Sequence, residues 1–345
     1  MLSLFKLSHP LIPCTLLMGL VSCTTSQPEA LTPVDNRPLV VVTTSILCDL
    51  TEQLAQETIN LQCLLGPGVD PHVYQPTPED RQAIDQAQLI LYGGYNFDAS
   101  LIKLIEASNN PTPKIAVHEQ AVSQPLMGKE HDHGHDHGHD HEHQHEHEEN
   151  RDQVTETVPD PHIWHNANNG IKIVQVISQQ LETLQPNYTQ QYQTNQRQIT
   201  QELTEIHNWI KEQIATIPVG QRKLVTTHDA LGYYVNAYDL TFEGALEGFS
   251  TEESPTASRV SELVKEVKKT QVPTIFTENT VNPQLIETVA KEANIKVAEQ
   301  PLYTDGLGET GTRGDSYQKM LISNTKTIVT GLGGTYQSFE SKVIN

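Results

Sequence analysis

The segment PNYTQQYQTNQRQITQELTEIHNWIKEQIATI, residues 186–217, decides how the rest of the chain is organised. It has few helix breakers, and Pro186 suits the first turn of a helix. Its apolar side chains recur mostly at intervals of three, four and seven residues, which is a helical period. They are Tyr192, Ile199, Leu203, Ile206, Trp209, Ile210 and Ile214. The pattern predicts one helix of about thirty residues, about 45 Å long at 1.5 Å per residue.

This helix has two interpretations. It is either one long helix of a bundle, or a rigid rod that joins two lobes and limits how far they swing apart. On both sides of it, short apolar runs alternate with helical patterns, which indicates parallel sheets with helical crossovers. We therefore predict an α/β fold with two α/β lobes, residues 39–185 and 218–345, joined by one long rigid helix over residues 186–217.

The individual elements are predicted from these runs. In the first half, the apolar runs are Leu39–Thr44, Ile59–Leu65, Gln88–Tyr92 and Ile115–Val117, and the helical patterns are Ile46–Gln56 and Phe97–Ala107. In the second half, strands are predicted over Lys223–Thr227, Pro273–Thr277 and Ile295–Ala298. Helices are predicted there over Ala230–Tyr238, Thr256–Lys269 and Pro283–Ala293, and from Asp315 onward.

Residues 1–22 have the features of an export signal. Lys6 precedes an apolar stretch that is too short, and too broken by Pro13, for a membrane-spanning helix. The motif LVSC at residues 20–23 resembles a bacterial lipobox, so we expect cleavage before Cys23, lipidation of Cys23 and a tether over residues 23–38. The alternative is an ordinary cleaved signal in which Cys23 is incidental.

Charge and cysteine content restrict the function further. The formal net charge is −21 and the chain has no basic cluster, which argues against nucleic-acid binding. Beyond the signal and Cys23, the cysteines are Cys48 and Cys63. Export permits a disulfide between them. Their spacing leaves open whether they form a bridge or remain two buried thiols.

Four candidate metal ligands follow predicted strands, where an α/β lobe presents its ligands. They are His72 in GVDPHVYQP, His162 in DPHIWH, His228 in VTTHDA and Asp305 in PLYTDGL. A single histidine there is more often a loop or capping residue, but the triplet DPH occurs twice and its proline stiffens the approach to each histidine. Three imidazoles and one oxygen suit zinc better than manganese, which prefers more oxygen. Copper would bind at least as tightly, so metal availability decides between copper and zinc.

The segments GVDPHVYQPTPED, DPHIWHN, VTTHDALGYY and PLYTDGLGETGTRGDSY resemble the signature segments of the metal-binding proteins of bacterial ABC importers, the zinc and manganese group. The resemblance covers nearly all of the mature chain, in order. It implies two α/β lobes joined by a long rigid helix, with the metal at the lobe interface, bound by His72, His162, His228 and Asp305. Manganese-type members tend to carry glutamate at the third position, so His228 implies Zn²⁺. Water is the alternative to Asp305 as the fourth ligand.

Four further residues are not expected to be ligands. Asp70 could orient a neighbouring imidazole as a hydrogen-bond acceptor. His165 is expected at the surface or behind the ligands, His118 has no supporting spacing, and His207 on the long helix is expected to be solvated.

Nine histidines alternate with acidic and small residues in the run EHDHGHDHGHDHEHQHEHEENR, residues 130–151. They are His131, His133, His135, His137, His139, His141, His143, His145 and His147. The run has no apolar residue to bury, so we expect disorder without metal. Its composition predicts an auxiliary, weaker zinc collector or a sensor, and the alternative is a solvated acidic loop. The buried site should form without it.

The predicted function is a lipid-anchored zinc receptor on the periplasmic or extracytoplasmic face, a monomer that delivers zinc to an ABC permease. The permease and its ATPase must be separate chains, because this sequence has neither transmembrane segments nor a phosphate-binding loop. The alternatives are a manganese or iron receptor on the same scaffold, a metal-dependent adhesin, and a zinc hydrolase. For a hydrolase, no glutamate near the four candidate ligands is placed as an obvious general base.

Overall fold

The computed structural model describes residues 36–129 and 157–341. The signal, Cys23, most of the tether and the His-rich run lie outside these residues. From Arg37 onward the chain forms one compact unit. Among the described residues, no helix combines the length and the apolar character needed to cross a bilayer.

The first lobe is built on a four-stranded parallel sheet with strand order β2-β1-β3-β4. Its strands are β1 (Leu39–Val42), β2 (Asn60–Cys63), β3 (Leu89–Tyr92) and β4 (Lys114–Ala116), and its helices are α1 (Ser45–Ala55), α2 (Pro78–Gln86), α3 (Ala99–Glu106) and α4 (Val117–Ala121). Residues 40–42, all valine, are fully buried, as expected for a central strand covered on both faces. Because the strands are parallel, the loops that follow them lie at one edge of the sheet.

A two-stranded antiparallel hairpin and a helix complete this half. The hairpin pairs β5 (Met127–Lys129) with β6 (Thr157–Pro159), and α5 (Ala167–Leu184) follows after a short 3₁₀ turn at Ile163–His165. The sequence patterns did not predict α2, α4, α5 or the hairpin. Residues 130–156, which include the His-rich run, connect its two strands in the sequence.

The long helix is present. A 3₁₀ turn at Pro186–Tyr188 leads into α6 (Thr189–Ala215), and all seven apolar side chains that predicted the helix are buried. α6 packs along α5 and also contacts α1. The helix is continuous and long, as expected for a rod between two lobes. It also packs against other helices along its length, as a helix of a bundle does.

The second lobe contains two pairs of short parallel strands. They are β7 (Lys223–His228) with β8 (Thr241–Glu247), and β9 (Thr274–Ile275) with β10 (Lys296–Val297). The backbone N–H of Phe276 donates to Val225 O at 3.0 Å and joins the two pairs. The helices are α7 (Gly232–Tyr238), α8 (Ala257–Thr270), α9 (Gln284–Ala293) and α10 (Tyr317–Gly331). β8 was not predicted. The α/β class, the parallel sheets and the long helix are confirmed.

Two features tie the parts of the unit together. Cys48 on α1 and Cys63 on β2 form a disulfide, which answers the question that their spacing left open. The largest hydrophobic cluster includes residues of both halves, among them Leu47 on α1, Leu203 on α6 and Met320 on α10. A continuous core of this kind opposes wide separation of the lobes, because separation would expose apolar surface to water.

Candidate metal centre

The four predicted ligands meet at one buried point. His72 lies in the loop after β2, His162 follows β6, His228 is the last residue of β7, and Asp305 lies in the loop after β10. Their exposed fractions are 5%, 0%, 0% and 2%. One nitrogen or oxygen of each side chain lies within 4.8 Å of the others, and among the described residues this is the group of His, Cys, Asp and Glu side chains close enough together to hold a metal ion.

The spacing between these atoms suits a small, four-coordinate cation. The Nε2 atoms of His228, His162 and His72 lie 3.2, 3.4 and 3.9 Å from Asp305 Oδ1. Ligands about 2.0–2.1 Å from a tetrahedral zinc lie about 3.3 Å from each other. The separations from His228 and His162 match that geometry, and the one from His72 needs only a small contraction.

Carboxylates hold the two histidines of the DPH triplets. Asp70 Oδ1 accepts a hydrogen bond from His72 N, and Asp160 Oδ1 accepts one from His162 N, both at 2.9 Å. Asp160 Oδ1 also lies 2.9 Å from His162 Nδ1 and accepts its proton, so His162 Nε2 remains free to bind a metal. Asp70 was expected to orient an imidazole. It contacts the backbone of His72, and its other oxygen accepts from the Thr251 hydroxyl at 2.6 Å.

Glu278, which the sequence patterns did not reveal, serves His228 in the same way. Its Oε1 accepts hydrogen bonds from the backbone N–H groups of Thr227 and His228 at 2.7 and 2.9 Å. Its Oε2 accepts the proton of His228 Nδ1. The residue follows the short strand β9, and no local motif marks it. The one signal in the sequence is an acidic residue after an apolar run, as at Asp305.

Charge is shared between rings and carboxylates in the centre. Burial raises the pKa of Asp305, but the positive charge of His228 and hydrogen bonds from His162 and His228 outweigh burial and hold this pKa well below its usual value. Burial lowers the pKa of His228, yet the nearby Asp305 and Glu278 carboxylates raise it well above 6.5. Burial dominates at His72 and lowers its pKa to about 3. Because a metal ligand must be unprotonated, metal binding competes with protons at His228.

The second lobe's ligand loop is anchored to the first lobe. Thr304 O, next to Asp305, accepts hydrogen bonds from Trp164 Nε1 and His165 Nε2, both at 3.0 Å. His165 is fully buried, so of the two positions expected for it, at the surface or behind the ligands, the structure shows the second, because the 3₁₀ turn after His162 directs its ring inward. It lies behind the ligands.

Aromatic packing closes the centre. The Phe97 ring lies 5.1 Å from the His72 ring and 5.5 Å from the His162 ring. The Phe97 ring also lies 4.6 Å from the Trp164 ring and 6.3 Å from the ring of His118, which is itself buried. This apolar wall strengthens electrostatic attraction for a cation, because it lowers the local dielectric constant.

His207 lies on α6, outside this centre. It was expected to be solvated, but it is half-buried: its Nδ1 lies 3.2 Å from the Tyr238 hydroxyl and its Nε2 lies 3.2 Å from Asn168 Nδ2. His207 is half-buried because α6 packs against neighbouring elements. The helical pattern of α6 alone does not show which neighbours cover this position.

Comparison with known proteins identifies the family. Residues 40–331 match the model of ZnuA, described as zinc-uptake complex component A, periplasmic. The chain is 30% identical to the metal ABC transporter substrate-binding lipoprotein SloC of Streptococcus mutans, with 95% of this chain and 99% of SloC covered. It is 31% identical to the manganese ABC transporter substrate-binding lipoprotein PsaA of Streptococcus mitis, with 91% and 94% covered.

A solved structure shares the fold. The periplasmic zinc-binding protein TroA of Treponema pallidum superposes with a TM-score of 0.74 at 28% identity, covering 86% of this chain and 99% of TroA. The match to the family model covers most of the chain, and the relatives match over nearly their whole length. This protein belongs to the ZnuA family of periplasmic metal-binding proteins, which are solute-binding receptors of ABC transporters and not enzymes.

Proposed function

We propose that this protein captures Zn²⁺ with high affinity and delivers it to an ABC permease, with His72, His162, His228 and Asp305 as the ligands. The observation that carries the proposal is the donor set: three imidazole nitrogens and one carboxylate oxygen, buried and spaced for four-coordinate binding. Zinc accepts such a set, whereas manganese prefers more oxygen and higher coordination. The enclosed position suits a receptor that holds its ion until transfer.

The proposal includes location, partners and domain limits. The mature chain is a monomer, lipid-anchored through Cys23 on the extracytoplasmic face, and its partners are a permease and a separate ATPase. Support comes from the relatives that are named ABC transporter substrate-binding lipoproteins. The lobes comprise residues 39–185 and 218–345, with residues 186–217 as the linking helix. The family assignment contradicts the zinc-hydrolase alternative.

A manganese receptor is the second candidate. It is favoured by the names of relatives such as PsaA, which is called a manganese ABC transporter lipoprotein. Against it stands His228, because an imidazole replaces the carboxylate oxygens that manganese prefers at this position. TroA, which has the same fold, is named a zinc-binding protein, so relatives of this chain carry the names of both metals.

The His-rich run is proposed as an auxiliary zinc collector or sensor. Its support is compositional: nine imidazoles in residues 130–151 supply many weak ligands without a fixed geometry. The run is inserted between β5 and β6, and β6 ends at Pro159, shortly before the ligand His162.

The decisive experiment is metal analysis of natively purified protein from which residues 130–151 have been deleted, beside the full mature chain. We expect one equivalent of tightly held zinc in the deletion variant, and additional, chelator-labile zinc in the full chain. Retention of manganese in the deletion variant would favour the second candidate, and retention of iron would favour an iron receptor on the same scaffold. Loss of all tight metal would show that the four buried side chains are not the site.

A further inference from the structure

We infer that Glu278 is a positioning residue that sets the preference of the centre for zinc over manganese, by orienting two of the four proposed ligands at once. The inference rests on the proposed function and deepens it. Glu278 would not touch the ion itself. It acts through His228, by direct contact, and through Asp305, by way of Thr304.

The contacts of Glu278 fix the His228 ring. One carboxylate oxygen binds the backbone N–H groups of Thr227 and His228, and the other binds Nδ1 of the ring. Backbone and ring of His228 are therefore held by the same group, which leaves the ring one orientation. Since Nδ1 carries the proton, Nε2 is the coordinating atom, and it points at Asp305 Oδ1 at 3.2 Å.

The same carboxylate reaches the Asp305 loop. Glu278 Oε2 accepts a hydrogen bond from the Thr304 hydroxyl at 3.1 Å, while the Thr304 carbonyl is held from the first lobe by Trp164 and His165. Thr304 is therefore fixed on two sides, and Asp305 follows it directly. Backbone pairing extends the connection, because Asn279 N donates to Leu302 O at 2.9 Å.

Rigid placement of these two ligands discriminates between ions. Zinc is satisfied by four ligands at tetrahedral spacing. Manganese needs more oxygen ligands, so its binding affinity benefits when an imidazole ring can turn aside and the cavity can widen to admit them. The negative charge of Glu278 beside Nδ1 also raises the basicity of the His228 ring, which favours the ion that bonds imidazole more strongly. Removal of Glu278 should therefore weaken zinc more than manganese.

The test compares Glu278→Gln with Glu287→Gln in the full mature chain. Glu287 lies on the exposed face of α9, so its substitution removes the same charge away from the centre. Competition with a chelator, for zinc and separately for manganese, measures the affinity of the tightest site. The chelator removes metal from the weaker sites proposed for the His-rich run. For Glu278→Gln we expect zinc affinity to fall about 10–100-fold, the range typical for losing such a partner. Manganese affinity should fall by less, and Glu287→Gln should bind both ions as the parent does.

Cobalt absorption separates orientation from folding. Co²⁺ bound in a tetrahedral site absorbs visible light far more strongly than in a six-coordinate site, so the Glu278→Gln band should weaken relative to the parent. If Glu278→Gln does not fold, as judged by its melting without metal, Glu278→Asp keeps the charge but shortens its reach, and it should show the same unequal loss.

Three outcomes overturn the inference: unchanged zinc affinity in the Glu278 variants, equal losses for zinc and manganese with an unchanged cobalt band, or a matching loss in Glu287→Gln. Failure of the parent protein to bind zinc or manganese tightly would instead defeat the proposed function itself. The two failures are therefore distinguishable in one set of measurements.

Discussion

The proposed ligands of the first lobe and those of the second lobe are held in place by different means. In the first lobe, His72 and His162 are each anchored by an aspartate two residues earlier in the same DPH triplet. In the second lobe, His228 is anchored by Glu278, 50 residues later in the chain. The first arrangement is local and depends on a rigid dipeptide. The second exists only once β7 and β9 have come together, so it couples the geometry of the centre to the folding of the lobe.

The largest expected effect comes from removing a ligand. His72→Ala should weaken zinc and manganese alike by more than about 100-fold, beyond the range for losing a supporting partner. His207→Ala is the matched control, since His207 lies on α6 away from the centre. Chelator competition measures both. Wild-type affinity in His72→Ala would remove this residue from the proposed ligand set and leave the first lobe with a single ligand.

A smaller loss of zinc affinity is expected from changing the aspartates of the two DPH triplets, and the loss should differ between the two. Asp160 contacts both the backbone and the ring of its histidine, whereas Asp70 binds the backbone of His72 and the Thr251 hydroxyl. Asp160→Asn should therefore weaken zinc by about 10–100-fold and Asp70→Asn by clearly less. Titration of the two variants side by side is the measurement. Equal losses would mean that the triplets act through backbone stiffness alone, and that the ring contact of Asp160 adds nothing.

The smallest expected effect is on the pH dependence of stability, and it comes from His118, a buried ring that is not hydrogen-bonded to a carboxylate. Burial lowers the pKa of His118 to about 3, far below the usual 6.5. Between these values the unfolded chain binds a proton that the folded protein does not, so stability contributed by neutral His118 is present above about pH 6.5 and declines as the pH falls toward 3. His118→Phe, which keeps a ring in contact with Phe97 and Trp164, should reduce the pH dependence of the unfolding free energy by about 1.4 kcal/mol per pH unit.

Urea unfolding of metal-free His118→Phe and parent protein at several pH values between 6.5 and 4 tests this expectation. His207→Phe is the comparison variant: burial also lowers the pKa of this half-buried imidazole, so the slope should change in the same direction but by less than in His118→Phe. Identical slopes in His118→Phe and the parent would show that His118 is not the group that titrates on unfolding.

Local patterns account for what the sequence predicted correctly. The period of apolar residues in 186–217 predicted α6, because a helix that packs along others needs one continuous apolar face. The repeated DPH triplets and the strand-end positions predicted which four side chains would meet. Each of those signals lies within one continuous stretch of the sequence and does not depend on contacts between distant residues.

Tertiary contacts account for what was missed. Glu278 has no local motif, since its partners lie on another strand, and the burial of His165 depends on the loop that carries Thr304. β8 contains Gly244, and its pairing with β7 shifts register between Leu224 and Val225, so its sequence lacks a clean alternation. α5 is different: its buried apolar residues Ile173, Val174, Ile177 and Leu181 have helical spacing, so a local signal for this helix exists in the sequence.

The hairpin that precedes His162 makes this protein a natural host for an inserted reporter domain. Lys129 and Thr157 are paired neighbours across β5 and β6, so their Cα atoms lie about 5 Å apart, as in any antiparallel pair. A fluorescent protein with adjacent termini could replace the residues between them without stretching either strand. Since β6 ends three residues before His162, the junction with the inserted domain would lie close to the candidate metal centre. The chain thus offers a site for building and testing an optical metal-ion indicator.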